Sequence, residues 1–157
     1  MHPTSTESRS TRRPLAPVVI ACYLLLAGCS FQEPVGPKAR GSALATLNKL
    51  AGKDHVQTGT ILAADLDKMS RSGEAFYDGR ILQARMHNHL ANPLGKVTLR
   101  LVMTKGEQIR EDVTFVRKLL AAPHSQFQVT VKVKRPPREG EIWAWCLVSG
   151  NKGKDPR

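Results

Sequence analysis

Acidic residues are in short supply in this chain. There are 13 Asp and Glu against 24 Lys and Arg, giving a formal charge of +11 and an isoelectric point near 10.1. That balance works against cationic partners and favours lipid head groups, acidic envelope polymers or nucleic acid. Nucleic acid has nothing beyond charge to support it. Cysteine is scarcer still, with only Cys22, Cys29 and Cys146. A disulfide-dense scaffold is therefore excluded, and the fold must be held by its core. Long apolar runs are missing too. The longest, Leu15 to Leu26, has twelve residues and carries Pro17 near its start, whereas a helix spanning a bilayer needs about 20. A Gly-rich phosphate loop, a Gly-x-Ser-x-Gly elbow and a His-Glu-x-x-His helix are also absent from the sequence, so the usual signatures of phosphoryl, acyl and zinc-hydrolase chemistry are lacking.

Hydrophobic residues make up 41% and charged residues 24%, the balance of a globular chain rather than a disordered one. Residues 1–14 are polar and hold Arg9, Arg12 and Arg13; the apolar run follows and ends in Leu26-Ala27-Gly28-Cys29. A basic start, an apolar stretch of about 7–15 residues and small residues at its end form the pattern of an export signal. The Leu-Ala-Gly-Cys ending resembles the lipobox of bacterial lipoproteins. The resemblance implies cleavage between Gly28 and Cys29, a diacylglyceryl group on the Cys29 thiol and usually a further acyl chain on the new amino group. Several chains on one residue suit firm anchoring, since a single chain binds membranes only marginally. Ser30 rather than Asp follows the cysteine. By resemblance to the sorting rule of enterobacterial lipoproteins, this implies the outer membrane, facing the periplasm. Loss of residues 1–28 removes Arg9, Arg12, Arg13 and Glu7, a net of +2, so the remainder keeps +9. With Cys29 acylated, Cys146 is the one remaining thiol and no intramolecular disulfide can form.

Residues 29–41 contain two prolines and two glycines and read as an extended, lipidated tether. Residues 42–150 read as one folded domain, and 151–157 as a disordered basic tail. Within Ser42 to Lys53, Leu44, Leu47 and Leu50 recur at helical spacing, with Ser42 available as a cap and Gly52 as a stop. A short amphipathic helix is expected there. Val56 to Leu62 suggests a strand, Ala64 to Met69 a helical turn, and Arg71-Ser72-Gly73 a turn.

From Phe76 onward the chain becomes strand-length runs separated by turn signals. These are Arg80–Asn88, Lys96–Thr104, Asp112–Lys118, Ser125–Lys134 and Glu141–Ser149. The cleanest period of two sets Phe127, Val129, Val131 and Val133 against Gln128, Thr130, Lys132 and Lys134. In Lys96–Thr104, Val97, Leu99, Leu101 and Met103 alternate with Thr98, Arg100, Val102 and Thr104. Such alternation buries one face and wets the other, and a series of strands of this kind predicts an all-β antiparallel sandwich of immunoglobulin-like type. The order of residues also resembles the FxLYD-type immunoglobulin-like domains of bacterial envelope proteins. Ala84 to Asn88 matches a strand ending near an Asn, Val97 to Met103 an aliphatic strand, and Leu120, Pro123 and Phe127 a corner before a Phe-led strand. Ala84 stands where that pattern has Gly. The resemblance spans residues 80–149 and implies neither catalysis nor a defined ligand.

Several side chains are candidates for chemistry. His87 and His89 point to one side of a strand about 7 Å apart, but no Cys, Asp or Glu follows at ligand spacing, so no metal or other cofactor is expected. Asp65 and Asp67 form a carboxylate pair on a polar segment and read as a solvated turn or cap. Cys146, mid-strand between Trp145 and Leu147, reads as an inert core residue. Trp143, Trp145 and Leu147 share one face of the last strand; Ile142, Ala144, Cys146 and Val148 share the other. Either residues 42–70 cover the second face or an aromatic patch is exposed for binding. Lys132, Lys134, Arg135 and Arg138 surround Pro136-Pro137 and read either as a solubilising, edge-guarding turn or as a landing site for anionic lipid or polymer.

Together these features describe a non-catalytic, membrane-anchored module that binds another envelope component, a protein or an anionic polymer. An unrecognised lipid-anchored enzyme and a polyanion-binding protein are the alternatives. The register of residues 125–134 is directly testable. Val131→Asp should bury a carboxylate and cost several kcal/mol or force its protonation, whereas Thr130→Asp on the wet face should cost little. Urea unfolding of the two variants measures this, and equal damage would refute the register.

Overall fold

Alternation organises the chain, and two helices complete it. The computed structural model describes residues 36–154; the leader, the lipobox at Gly28-Cys29 and residues 155–157 lie outside them. Strand β1 is Lys38–Arg40, helix α1 Leu44–Ala51, strand β2 Thr58–Gly59 and helix α2 Ala63–Ser72. Strands β3 (Glu74–Asp78), β4 (Ile81–His87), β5 (Leu94–Lys105), β6 (Gln108–Ala121), β7 (Gln126–Lys132) and β8 (Ile142–Lys152) follow. They form two four-stranded sheets, ordered β1-β3-β4-β7 and β2-β8-β5-β6. All pairings are antiparallel except the short β2–β8 pair. The sheets pack face to face as a β-sandwich. Val97, Leu99, Leu101 and Met103 of β5 meet Leu82 and Ala84 of β4 and Val129 and Val131 of β7 in one core with Trp145 and Leu147. Full burial of each large side chain contributes roughly 1.5–3 kcal/mol.

Several boundaries differ from the sequence expectation. Lys38–Arg40, assigned to the tether, pair with Phe76–Glu74 of β3. The strand expected over 56–62 shrinks to Thr58–Gly59; the Thr60 and Ile61 amides both still donate to the Gly150 carbonyl before α2 starts at Ala63. That helix runs on through Ser72, where a turn was expected. β8 continues to Lys152, inside the expected tail, paired with Leu94 of β5.

The larger difference lies on the outer face of the second sheet. The expected wet residues of β5 are not wet: Arg100 and Val102 are fully buried and Thr104 nearly so. Helix α1 covers Arg100 and Val102. It sets Leu44, Leu47 and Ala51 onto Val102, Cys146 and Val148, a second apolar cluster outside the sandwich. Gly52, in the left-handed conformation at φ 58, ends α1 as expected. Ala43 occupies the cap position without a side-chain bond, and Asp67 of α2 supplies the acceptor instead, taking the Leu44 amide at 3.2 Å.

Covering this face encloses a cation, and each nitrogen of the Arg100 guanidinium has an acceptor there. Nε and Nη2 donate to the two oxygens of Asp112 at 2.8 and 2.9 Å, and Nη1 donates to Asn48 Oδ1 at 2.7 Å. Asn48 also clasps the backbone of His55, accepting from its amide and donating to its carbonyl, each at 3.0 Å. β5, β6, α1 and the following loop are thereby joined through one guanidinium. A second irregularity is absorbed similarly. β8 carries an extra residue at Val148, between the pairs Leu99↔Leu147 and Thr98↔Ser149. The buried hydroxyl of Ser70 takes the Leu147 amide at 2.9 Å while donating to the Leu66 carbonyl at 2.8 Å.

Asp112→Asn should strand the buried guanidinium and cost about 3–5 kcal/mol in urea unfolding, whereas replacing Arg100 and Asp112 together by Met and Leu should be close to neutral. The pH response has a definite sign. The Arg100 hydrogen bonds hold the Asp112 carboxyl below its ordinary value of 3.8. Its contribution is therefore present above that pH and lost as the pH falls below it. Wild type should lose stability on acidification below pH 4 more steeply than Asp112→Asn.

Candidate functional site

The residues proposed for a binding patch separate in space. Trp145 is wholly buried and donates its indole N–H to the Ala39 carbonyl at 3.1 Å. Trp143 is half-buried and meets the Tyr77 ring edge-on, centroids 4.9 Å apart. Of the two alternatives for the last strand, covering by residues 42–70 is the one the structure has, and Trp145, placed in the candidate patch, is not exposed. The face bearing both tryptophans is the sandwich face, and α1 covers the opposite one. Tyr77 is itself buried, and its hydroxyl has no hydrogen-bond partner among the described residues. Burial, reinforced by Glu111, pushes that phenol well above its ordinary range.

The basic turn after β7 is at the surface, but its four cations are not equivalent. Lys132, Lys134 and Arg138 are exposed. Arg135 is tied to Glu141 by two bonds, Nη1 to Oε2 at 2.6 Å and Nη2 to Oε1 at 2.8 Å. The Arg138 amide donates to the same carboxylate at 2.8 Å. These donors, Arg135 foremost, depress the Glu141 carboxyl to about 2. Arg135 therefore shapes the Pro136-Pro137 turn and adds no free charge. The acid six residues downstream was the sequence signal for this, because a bidentate Arg–carboxylate pair closes a turn efficiently.

The imidazoles of His87 and His89 do meet, with ring centroids 4.8 Å apart. Ser72 Oγ lies 3.2 Å from Nε2 of His89. Burial first, then the nearby Lys68 and His87, lowers the His89 pKa. No group of three or more His, Cys, Asp or Glu among the described residues is placed to hold a metal ion. Asp67 caps α1 and also accepts from Gln57 at 3.0 Å. Asn88, buried at the end of β4, organises the opposite loops. Its amide donates to the carbonyls of Asn92 and Ala122, both at 3.0 Å, and its oxygen takes the Leu90 amide at 3.1 Å. Gly28 and Cys29 lie outside the described residues. No helix among the described residues is long and apolar enough to cross a membrane.

Cys146 sits under α1 beside Arg100. Burial pushes its thiol up to about 12, although the guanidinium pulls the other way. A thiol that stays protonated is a poor nucleophile. Iodoacetamide at pH 8 should therefore leave Cys146 unmodified in the folded protein and alkylate it in urea, as read by peptide mass spectrometry. Rapid alkylation without denaturant would contradict the packing of α1 over β8.

No protein-family model, no curated protein and no solved structure matches this chain. The reading of what it does therefore rests on its own residues.

Proposed function

We propose that this chain is a lipid-anchored, non-catalytic binding module of the bacterial cell envelope, held at the outer membrane on its periplasmic side. The observation that carries the proposal is Leu26-Ala27-Gly28-Cys29 at the end of a short apolar run behind three arginines. The sandwich supports the reading in kind. Its one described thiol is buried, its buried cation is neutralised internally, and the charge left over is displayed on its surface.

The same proposal takes the sandwich as immunoglobulin-like, related in pattern to the FxLYD-type envelope domains. Two features favour this. β3-β4-β7 beside β8-β5-β6 follows the A-B-E and F-C-C′ order of such sandwiches. Asn88, where that pattern ends its first strand, is the buried hub of the loops. The partner is an envelope protein or an anionic polymer, attracted by a net charge of +9 on the residues after the lipobox.

Expression in a bacterium with lipoprotein processing tests the anchor. The N-terminal peptide should begin at Cys29 and carry an acyl mass increment. Cys29→Ala should give an uncleaved or soluble form. An N-terminal peptide starting at Cys29 with no added mass would refute lipidation. A pull-down of the acylated protein from solubilised membranes would then identify the component it binds.

A further inference from the structure

The polypeptide leading from Cys29 reaches the described fold at Gly36. Gly36 lies so close to Tyr77 that a Cβ on it would meet the Tyr77 carbonyl oxygen at 1.8 Å. The Tyr77 amide donates to the Pro37 carbonyl at 3.2 Å. β1 then runs antiparallel to β3, so the chain enters at the end of the sandwich where β3 stops and β4 starts. The Tyr77–Trp143 contact ties this end of the first sheet to the start of β8 in the second. β6 starts there as well, since Thr104 pairs with both Ile109 and Ile142.

Two kinds of side chain gather at this entry end. Arg80, Lys105, Arg110, Lys132, Lys134 and Arg138 are exposed there against exposed Asp78, Glu107 and Glu139, an excess of three positive charges. Arg135 and Glu141 cancel each other. Among the cations stand three exposed isoleucines: Ile81 (40%), Ile109 (49%) and Ile142 (64%). Ile109 and Ile142 flank Thr104 on the outer face of the second sheet, and Ile81 lies beside Lys132 on the outer face of the first. Protruding apolar side chains set among cations suit the boundary between acyl chains and anionic head groups.

The opposite end is cationic too, with Lys96 and Lys118 directly paired across β5 and β6, and Leu120 is 70% exposed there, so neither charge nor apolar exposure chooses between the ends. Covalent reach does. From Cys29 to Gly36 the chain spans at most about 25 Å, while the eleven residues of β8 separate the two ends of the sandwich by about 33 Å. With lipid on Cys29, the far end cannot be turned onto the membrane, but the entry end can rest on it.

We propose, on the basis of the lipid-anchor reading, that the entry end is a membrane-contact surface. Ile81, Ile109 and Ile142 sit in the head-group layer of an anionic bilayer, and Arg80, Lys132, Lys134 and Arg138 lie on its phosphates. The anchor supplies residence, and this surface sets the orientation that points Asn88 and its loops away from the membrane.

The test uses the acylated mature product in vesicles of phosphatidylglycerol or of phosphatidylcholine, with a bimane probe on Lys134→Cys or Lys96→Cys and doxyl-labelled lipid as quencher. Cys146 is buried and does not compete for the label. Probe 134 should be quenched in anionic vesicles at least twofold more than in neutral ones, and probe 96 in neither. Arg80→Gln, Lys132→Gln and Arg138→Gln together should bring probe 134 down to the level of probe 96. Lys118→Gln, Lys152→Gln and Lys154→Gln, an equal loss of charge at the far end, should leave it unchanged. Equal quenching of both probes, insensitivity to lipid charge, or an equal response to the two triple variants would overturn the proposal while leaving the anchor intact. Failure of the unlabelled protein to float with vesicles of either kind would remove the anchor reading and this surface together.

Discussion

A guanidinium with no access to water has to be neutralised where it stands, and much of this domain is arranged around that requirement at Arg100. Removing such a charge from water costs several kcal/mol, and good geometry must offset it. Asp112 supplies two oxygens from β6, which fixes the pairing of β6 with β5 on the outer face. Asn48 supplies the third acceptor from α1, which fixes where that helix lies and, through His55, how the chain leaves it. The apolar cluster of Leu44, Leu47, Val102 and Val148 provides the burial energy, and the polar network selects the single arrangement in which that burial is tolerable.

That arrangement explains which parts of the fold were legible in the sequence. β7 shows because one face meets the core and the other meets water, so its period of two survives intact. β5 is buried on both faces, and its polar-looking alternates conceal a second interface rather than solvent. For β8 the sequence already allowed covering by residues 42–70; the same signal extends to β5. β8 is apolar on both faces, and the leucines at 44, 47 and 50 need something to cover, so the two unpaired surfaces call for each other. The two-residue β2 and the three-residue β1 are too short to carry any periodicity, and their pairing is decided by distant partners. Of the candidate site, the cations at 132, 134 and 138 were readable as exposed from their places on a strand and turn. The engagement of Arg135 by Glu141 and the burial of Trp145 depended on tertiary geometry.

Irregularities in the strands are answered by side chains from the segment before β3. Ser70 satisfies the amide freed by the bulge at Val148, Asp67 caps the N-terminus of α1, and Gln57 reaches the Leu147 carbonyl at 3.3 Å. This stretch, whose pattern suggested only short elements, thus makes many of the specific polar contacts. Short helices with mixed composition are stabilised mainly by what they dock against rather than by intrinsic propensity.

The seating of β1 has a mechanical consequence. Any pull delivered through the N-terminal segment reaches the fold first at Gly36 to Arg40, where the load falls on the Pro37–Tyr77 hydrogen bond and the three-residue ladder to β3. Just behind it, Gly41 and Ser42 are held by the backbone of Gly73 and Trp145, and Trp145 grips Ala39 from the core. These bonds lie ahead of both apolar clusters in the path of the force. Tension would therefore bear first on the short edge strand β1, with its three ladder pairs, before the longer pairing of β3 with β4.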